Sequence, residues 1–163
     1  TERIYEASLN LGLNDNDVII NLQGDEPFTD PNDINKIFNL FQDDQVEMVS
    51  MFTEVSDKRD LVDPDKVKVV LKGSMAENFY RNETEPNDSS FIHLGIYGFK
   101  FRTLKKIVNL PRSKNEIEKR LEQMRAMDND IPIQMIKSNA KIHLGIDTPA
   151  DLKLANELIK NAQ

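Results

Sequence analysis

The spacing of apolar residues changes several times along the chain, and each change predicts a new element. An amphipathic helical pattern covers residues 1–9. Residues 17–22 then contain the run Val-Ile-Ile, which is typical of a strand buried on both faces inside a parallel sheet. Asp30 is suited to cap a helix and Pro31 to begin one, so a helix is predicted to about residue 42.

The rest of the chain alternates between strand-like and helix-like segments joined by short polar links. We predict strands over 46–53, 67–71, 91–99, 131–136 and 141–146, and helices over 102–109, 114–127 and 148–161. Residues 73–90 are poor in apolar side chains and are predicted to be an exposed loop. This order predicts a single α/β domain over 1–163, with three layers and a mainly parallel sheet.

Length, charge and composition exclude several classes of protein. The 163 residues are 39% hydrophobic, which is enough to bury a core, and the formal net charge is −7. No cysteine is present, which excludes a disulfide framework, a thiolate nucleophile and a cysteine-ligated zinc site, and favours the reducing cytoplasm. The acidic balance, without a basic stripe, argues against nucleic-acid binding. No apolar run approaches the roughly 20 residues of a membrane-spanning helix, so membrane insertion is not expected.

Two aspartates stand at the ends of predicted strands. Asp25 follows the strand over 17–22 through a turn at Gly24, where open α/β sheets place their ligand groups. Asp147 directly precedes a helix that Thr148 and Asp151 are suited to cap, so its own carboxylate has no capping role. If the two strands are neighbours, the two carboxylates could hold Mg²⁺. An ordinary turn and a favourable charge near the helix dipole explain the same residues without a metal.

The predicted strand over 91–99 separates an apolar face from a more polar one. The strand period of two places His93, Gly95 and Tyr97 on one face and the apolar residues between them on the other. The glycine leaves room for a ligand to approach the backbone between an imidazole and a phenol. A histidine on a strand is more often structural, and its position beside Tyr97 and Gly95 favours a binding role.

The helix predicted over 114–127 presents polar residues beside its buried stripe. Leu121 and Met124, with Ile117, are predicted to be buried, and Glu122 and Gln123 to lie on the shoulder of the helix beside Arg125. Arg81 could bind a carboxylate with its forked guanidinium or lie solvated in a loop. Four lysines are predicted to lie on the surface: Lys68, Lys72, Lys105 and Lys106.

Six short blocks carry a family resemblance: GDEP at 24–27, VKVVL at 67–71, NFYR at 78–81, HLGIYGF at 93–99, LEQMR at 121–125 and GIDTPADL at 145–152. Each block alone is unspecific. In this order and spacing, over essentially the whole chain, they resemble the family of 3-deoxy-D-manno-octulosonate (Kdo) cytidylyltransferases, which act in lipopolysaccharide biosynthesis.

The resemblance implies a fold of the nucleotide-diphospho-sugar transferase type and the reaction of CTP with Kdo to give CMP-Kdo and pyrophosphate, with Mg²⁺ and a homodimer. It implies that Asp25 and Asp147 are the catalytic, metal-binding carboxylates. It also implies a sugar-acid pocket formed by Gln23, Arg81, His93, Tyr97, Glu122 and Gln123. Such a reaction requires no nucleophilic side chain, because a metal lowers the pKa of the attacking hydroxyl and neutralises phosphate charge.

The chain also departs from the family pattern. The family's opening CTP-binding segment has no counterpart in these residues, so we expect an N-terminally truncated domain, the C-terminal two-thirds of such an enzyme, that is inactive alone. The segment after Arg81 is more acidic and one residue longer than is usual in the family. Two alternatives stay open: a cytidylyltransferase for another acidic sugar, such as a sialic or legionaminic acid, and a non-enzymatic α/β interaction module.

Overall fold

A computed structural model describes residues 1–81, 89–140, 142–146 and 148–161. Its helices and strands are, in chain order, α1 (Glu2–Asn10), β1 (Val18–Asn21), α2 (Pro31–Leu40), β2 (Met48–Thr53), α3 (Arg59–Val62), β3 (Lys68–Lys72), β4 (Met75–Tyr80), β5 (Ser90–Lys100), α4 (Phe101–Asn109), α5 (Lys114–Lys119), α6 (Gln123–Met127), β6 (Gln134–Lys137) and α7 (Pro149–Asn161). None of the helices described is both long enough and apolar enough to cross a bilayer.

Six strands form one mixed sheet in the order β1-β5-β2-β6-β4-β3. Strand β5 lies between β1 and β2 and is antiparallel to both, and β3 and β4 are antiparallel to their neighbours as well. Among the described strands only β2 and β6 are parallel. The α/β class is confirmed, but the mainly parallel sheet was wrong. The prediction that β1 is buried on both faces was wrong too, because β1 is a half-buried strand at the edge of the described sheet, and an apolar run does not report the direction of its neighbour.

Helices cover both faces of the sheet, which confirms the three layers. On one face, Ile37 and Phe41 of the α2 region pack against Leu94 and Ile96 of β5. On the other face, the larger core joins α4 and α6 to the sheet through Met48, Val69, Phe79, Phe99, Leu104, Ile107 and Met124. The capping of α2 by Asp30 is confirmed, because its carboxylate accepts a hydrogen bond of 2.8 Å from the Asn32 amide.

The segment predicted as a loop over 73–90 instead contains β4. Strands β3 and β4 form a hairpin, and Gly73 in the turn between them has a φ of +64° that a glycine adopts without strain. Pairing with β3 supplies the backbone hydrogen bonds that outweigh the weak strand propensity of the polar residues in β4. Residues 82–88 of the predicted loop lie outside the described residues.

Two further expectations differ from the structure, and one short helix was not predicted. The helix predicted over 114–127 is divided into α5 and α6 at Arg120, and the break leaves Ile117 63% exposed, whereas Leu121 and Met124 are buried as predicted. Residues 142–146 form no strand. The polar segment after β2 contains the short helix α3, whose four residues are too few to give a helical pattern in the sequence.

Candidate active site

Strands β1 and β3 pair with different halves of the same edge of β5, and the candidate site lies between them. Strand β1 pairs with the end of β5 as far as Tyr97, and β3 pairs with its beginning as far as Ile92. Between these positions the Gln23 side chain approaches the edge and donates a hydrogen bond of 2.9 Å from Nε2 to the carbonyl of Gly95. A side chain at Gly95 would press against Gln23, because an added Cβ would lie 3.0 Å from Nε2.

Two adjoining cavities open at this point. The first, which we call the Asp25 cavity, has a volume of about 830 Å³ and is lined by Asn21 at the end of β1, by Asp25 beyond it, and by Glu2 and Arg3 of α1. The second, the His93 cavity, has a volume of about 680 Å³. All six residues of the expected sugar-acid pocket line the His93 cavity: Gln23, Arg81, His93, Tyr97, Glu122 and Gln123. Four of them line the Asp25 cavity too, so the two cavities share a wall formed by Gln23, Tyr97, Glu122 and Gln123.

The imidazole of His93 is buried and neutral at physiological pH. Burial, and then the nearby charge of Arg81, lower the pKa of His93 from 6.5 to about 3. Its Nε2 lies 2.8 Å from the Ser50 hydroxyl, and that hydroxyl lies 2.9 Å from the carbonyl oxygen of Ile96. A carbonyl can only accept, so the single proton of Ser50 is donated to Ile96 and Nε2 of His93 donates to Ser50. This leaves Nδ1 of His93 as the acceptor nitrogen.

The depressed pKa of His93 predicts that stability falls on mild acidification. The unfolded chain takes up a proton near pH 6.5 that the folded chain refuses until about pH 3, so stability decreases as pH falls through this range. We expect the free energy of unfolding to drop by about 1.5–2 kcal/mol between pH 6.5 and 5 through this group. Urea unfolding at several pH values measures the slope.

The control for this prediction is His143→Asn, because the pKa of His143 is also lowered by its partial burial. His93→Gln should remove most of the slope, and His143→Asn should leave most of it. A His93→Gln variant with the same dependence on pH as the original chain would contradict the neutral, buried imidazole.

The phenol of Tyr97 separates the two cavities. Its ring packs between His93 and Phe99, with centroids 5.4 and 5.9 Å away. Burial, and then the negative charge of Glu122, raise the pKa of Tyr97 well above its usual range. Tyr97 therefore keeps its proton and can donate a hydrogen bond to a ligand.

Arg81 holds the loop that forms the outer wall of the His93 cavity. Its Nη1 donates to the carbonyl of Asp65 at 2.9 Å and to that of Pro64 at 3.3 Å. Lys68 connects this loop to Arg81, because its Nζ donates hydrogen bonds to the carbonyl of Asp63 at 2.7 Å and to the carbonyl of Arg81 at 2.5 Å. The prediction of a surface position for Lys68 was wrong, since the side chain is fully buried and backbone carbonyls replace the water around its ammonium.

Arg125 fixes the start of α6, where Glu122 and Gln123 enter both cavities. Its guanidinium forms a bidentate ion pair with Glu116, at 2.7 and 2.6 Å, and contacts Glu2 at 3.1 Å. Hydrogen bonds from Arg125 lower the pKa of Glu116 despite its burial. The predicted shoulder position is confirmed for Glu122, which is exposed, whereas Gln123 is buried.

Asp25 is a partly exposed carboxylate beyond the end of β1. Asp147 lies outside the described residues. The residue before it is nonetheless tied to Asp25, because the amide of Ile146 donates a hydrogen bond of 2.8 Å to the Asp25 carbonyl. No cluster of three or more metal-ligating side chains occurs among the described residues. Mg²⁺ is commonly held by one or two carboxylates together with water and phosphate oxygens, so an accessible Asp25 carboxylate fits that donor set.

Several residues of the site were missed from the sequence. Ser50 orients His93, Arg120 lines the His93 cavity, and His143 lines it from the segment before α7. Ser50 carried a signal, since a hydroxyl inside the apolar run of β2 must find a buried partner. Arg120 and His143 carried none, because their positions depend on the helix break and on the path of the chain after β6.

The profile of the cytidylyltransferase family matches residues 1–133. The chain belongs to this family. It is 31% identical over 166 residues to the 3-deoxy-manno-octulosonate cytidylyltransferase of Lawsonia intracellularis, covering 98% of this chain and 65% of that protein. It is 36% identical over 161 residues to the 8-amino-3,8-dideoxy-manno-octulosonate cytidylyltransferase of Shewanella frigidimarina, covering 94% of this chain and 65% of that protein. This cytidylyltransferase-family chain thus spans about two thirds of the length of both relatives.

A solved structure gives the same result for the fold. The structure of CMP:2-keto-3-deoxy-manno-octonic acid synthetase complexed with CTP matches with a TM-score of 0.85 and 28% identity, over 99% of this chain and 68% of that chain. The expected nucleotide-diphospho-sugar transferase fold is therefore confirmed for this cytidylyltransferase-family chain.

Proposed function

We propose that this protein acts in the transfer of CMP from CTP to Kdo, with release of pyrophosphate. One observation carries the proposal: the cavity lined by Gln23, Arg81 and His93 shares a wall with the cavity that contains Asp25. Two substrates that react with each other need adjoining sites. A binding module that used its acidic turns only as caps and loops would have no need for such an arrangement, so the geometry favours the enzyme over the non-enzymatic alternative.

The two cavities divide the substrates between them. The sugar acid occupies the His93 cavity, where Arg81 offers a cation, Tyr97 a donor and neutral His93 an acceptor nitrogen. The α-phosphate of CTP lies on the Asp25 side of the shared wall. The hydroxyl on the anomeric carbon of Kdo attacks the α-phosphorus in line, and pyrophosphate leaves on the opposite side.

Asp25 and Asp147 would hold the Mg²⁺ in this reaction. When bound, the ion lowers the pKa of the attacking hydroxyl and offsets the negative charge on the phosphate. The hydrogen bond between Ile146 and the Asp25 backbone supports this pairing, because it fixes the chain beside Asp25 one residue before Asp147. The side chains bind and orient the substrates. Because the hydroxyl of Kdo attacks the phosphorus directly, the reaction needs no covalent intermediate with the protein.

A pyrophosphate-release assay with CTP, Kdo and Mg²⁺ tests the proposal. It is run on this chain and on a chimera that adds the part of the Lawsonia intracellularis relative that this chain does not span. We expect the chimera to turn over Kdo, and to prefer it to sialic and legionaminic acids. Turnover of a sialic or legionaminic acid without turnover of Kdo would contradict the substrate.

An amino-substituted Kdo is the second candidate substrate. The Shewanella frigidimarina relative supports it through its 36% identity. The wall of the His93 cavity also contains Asp60, Asp63 and Asp65, which suit a substrate that carries an ammonium group besides its carboxylate. Competition between Kdo and 8-amino-3,8-dideoxy-manno-octulosonate in the same assay decides between them.

We extend the proposal to a homodimer in the cytoplasm, as the family resemblance implies, and sedimentation velocity tests the dimer.

A further inference from the structure

Arg120 has an unusual backbone conformation at the end of α5. Its φ of 55° and ψ of 45° are left-handed, and this position of a helix is most often occupied by glycine. Any residue with a Cβ is strained there. The turn redirects the chain so that α6 begins at Gln123, and it places Arg120 on the wall of the His93 cavity. A strained, charged residue at the mouth of a binding cavity is a candidate for function.

The guanidinium of Arg120 is free to bind a ligand. Its side chain is exposed and forms no hydrogen bond or ion pair with any residue of the described ranges. The other cations that line the cavity are already engaged. Lys66 is paired with Asp60 at 2.7 Å, and Arg81 donates to the carbonyls of Pro64 and Asp65.

The charge of the cavity makes a free cation necessary for an anionic substrate. The carboxylates of Asp63 and Asp65 line the same space and repel a carboxylate, whereas the Glu122 carboxylate is paired with the amino group of Thr1 at 3.2 Å. A guanidinium can offset this repulsion and form two parallel hydrogen bonds with a carboxylate, which a lysine cannot match in geometry. Arg120 has the geometry for that contact, and within the described ranges all of its guanidinium donors are unoccupied, whereas Nη1 of Arg81 already donates to two carbonyls.

We propose that Arg120 binds the carboxylate of the acidic sugar and thereby determines specificity for sugar acids over neutral sugars. The inference rests on the proposed function, since it assumes that a sugar acid occupies the His93 cavity. The break between α5 and α6 would then place this guanidinium on the wall of the His93 cavity. Arg81 would then add positive charge to the same cavity while its Nη1 holds the loop over 63–66.

Isothermal titration of Kdo and of its methyl ester into the chain tests the assignment. Arg120→Met should weaken Kdo binding at least about tenfold and leave binding of the methyl ester unchanged, because the ester has no charge for Arg120 to bind. Arg120→Lys should recover only part of the affinity. The control Lys114→Met removes the same charge from α5 at an exposed lysine that does not line the cavity, and it should bind Kdo as the original chain does.

Thermal unfolding of these variants checks that each one is folded. A further variant, Arg120→Gly, should have a melting temperature equal to or above that of the original chain, because glycine adopts the left-handed conformation without strain. Equal Kdo affinity in Arg120→Met and the original chain would overturn the role of Arg120 and leave the proposed function intact. A tenfold loss in Arg81→Met alone would assign the carboxylate to Arg81 instead. A failure of both this chain and the chimera to bind Kdo would overturn both proposals.

Discussion

Replacing Arg125 with methionine is expected to destabilise the protein by about 3–5 kcal/mol. Arg125 is 2% exposed, and its partner Glu116 is almost as fully buried. Removal of the guanidinium leaves the Glu116 carboxylate in a low-dielectric environment without its bidentate partner. The chain must then either bury an unpaired charge or protonate Glu116, and both are unfavourable at neutral pH.

A matched control is available on the same glutamate. Arg112 also approaches Glu116, with Nε 3.8 Å from Oε1, but its side chain is 70% exposed. Arg112→Met should therefore change stability by less than about 1 kcal/mol. The double variant Arg125→Met with Glu116→Gln should recover part of the loss, because no buried charge remains. Chemical denaturation measures all three, and equal effects of Arg125→Met and Arg112→Met would contradict the buried ion pair.

Substitution of Asp25 by asparagine is expected to reduce turnover of the chimera on the order of a thousandfold. The proposed metal contributes several kcal/mol to stabilisation of phosphate charge, and an amide oxygen holds Mg²⁺ much less strongly than a carboxylate does. Asp25 forms no hydrogen bond through its side chain in the described parts of the chain that would make it a structural residue. Asp25→Asn should accordingly unfold at nearly the same urea concentration as the original sequence.

The comparison for Asp25→Asn is Asp44→Asn, which removes one charge from a side chain that is 99% exposed and remote from both cavities. Asp44→Asn should retain full turnover. The apparent Mg²⁺ requirement should rise steeply in Asp25→Asn only. Full activity of Asp25→Asn at ordinary Mg²⁺ concentrations would remove Asp25 from the site.

The sequence predicted the fold class and the location of most elements, because these depend on local patterns. The alternation of polar and apolar residues correctly separated His93 and Tyr97, whose rings pack together, from Leu94 and Ile96, which pack in the core with Ile37 and Phe41. Strand direction was not predictable, since an apolar run such as that of β1 is compatible with either a parallel or an antiparallel neighbour. The break at Arg120 was also hidden, because arginine is an ordinary helix former and nothing local marks it as left-handed.

For the site, the family motifs predicted as one set residues that local reasoning treated one at a time. Six of the predicted residues line one cavity, although Gln23 and Gln123 are a hundred positions apart in the chain. Burial was predicted less well, as Lys68 illustrates. Nothing in its sequence context reveals that three backbone carbonyls converge on its ammonium group.

The proposed nucleotidyl transfer requires Asp25 and Asp147 to share one divalent cation beside the sugar-acid cavity. Paramagnetic broadening of amide resonances by substoichiometric Mn²⁺ tests it directly on this chain. We expect the resonances of Asp25 and Asp147 to broaden together, and Asp25→Asn to weaken the broadening at both. Broadening at one aspartate without the other, or at neither, would contradict a shared metal site and with it the proposed nucleotidyl transfer.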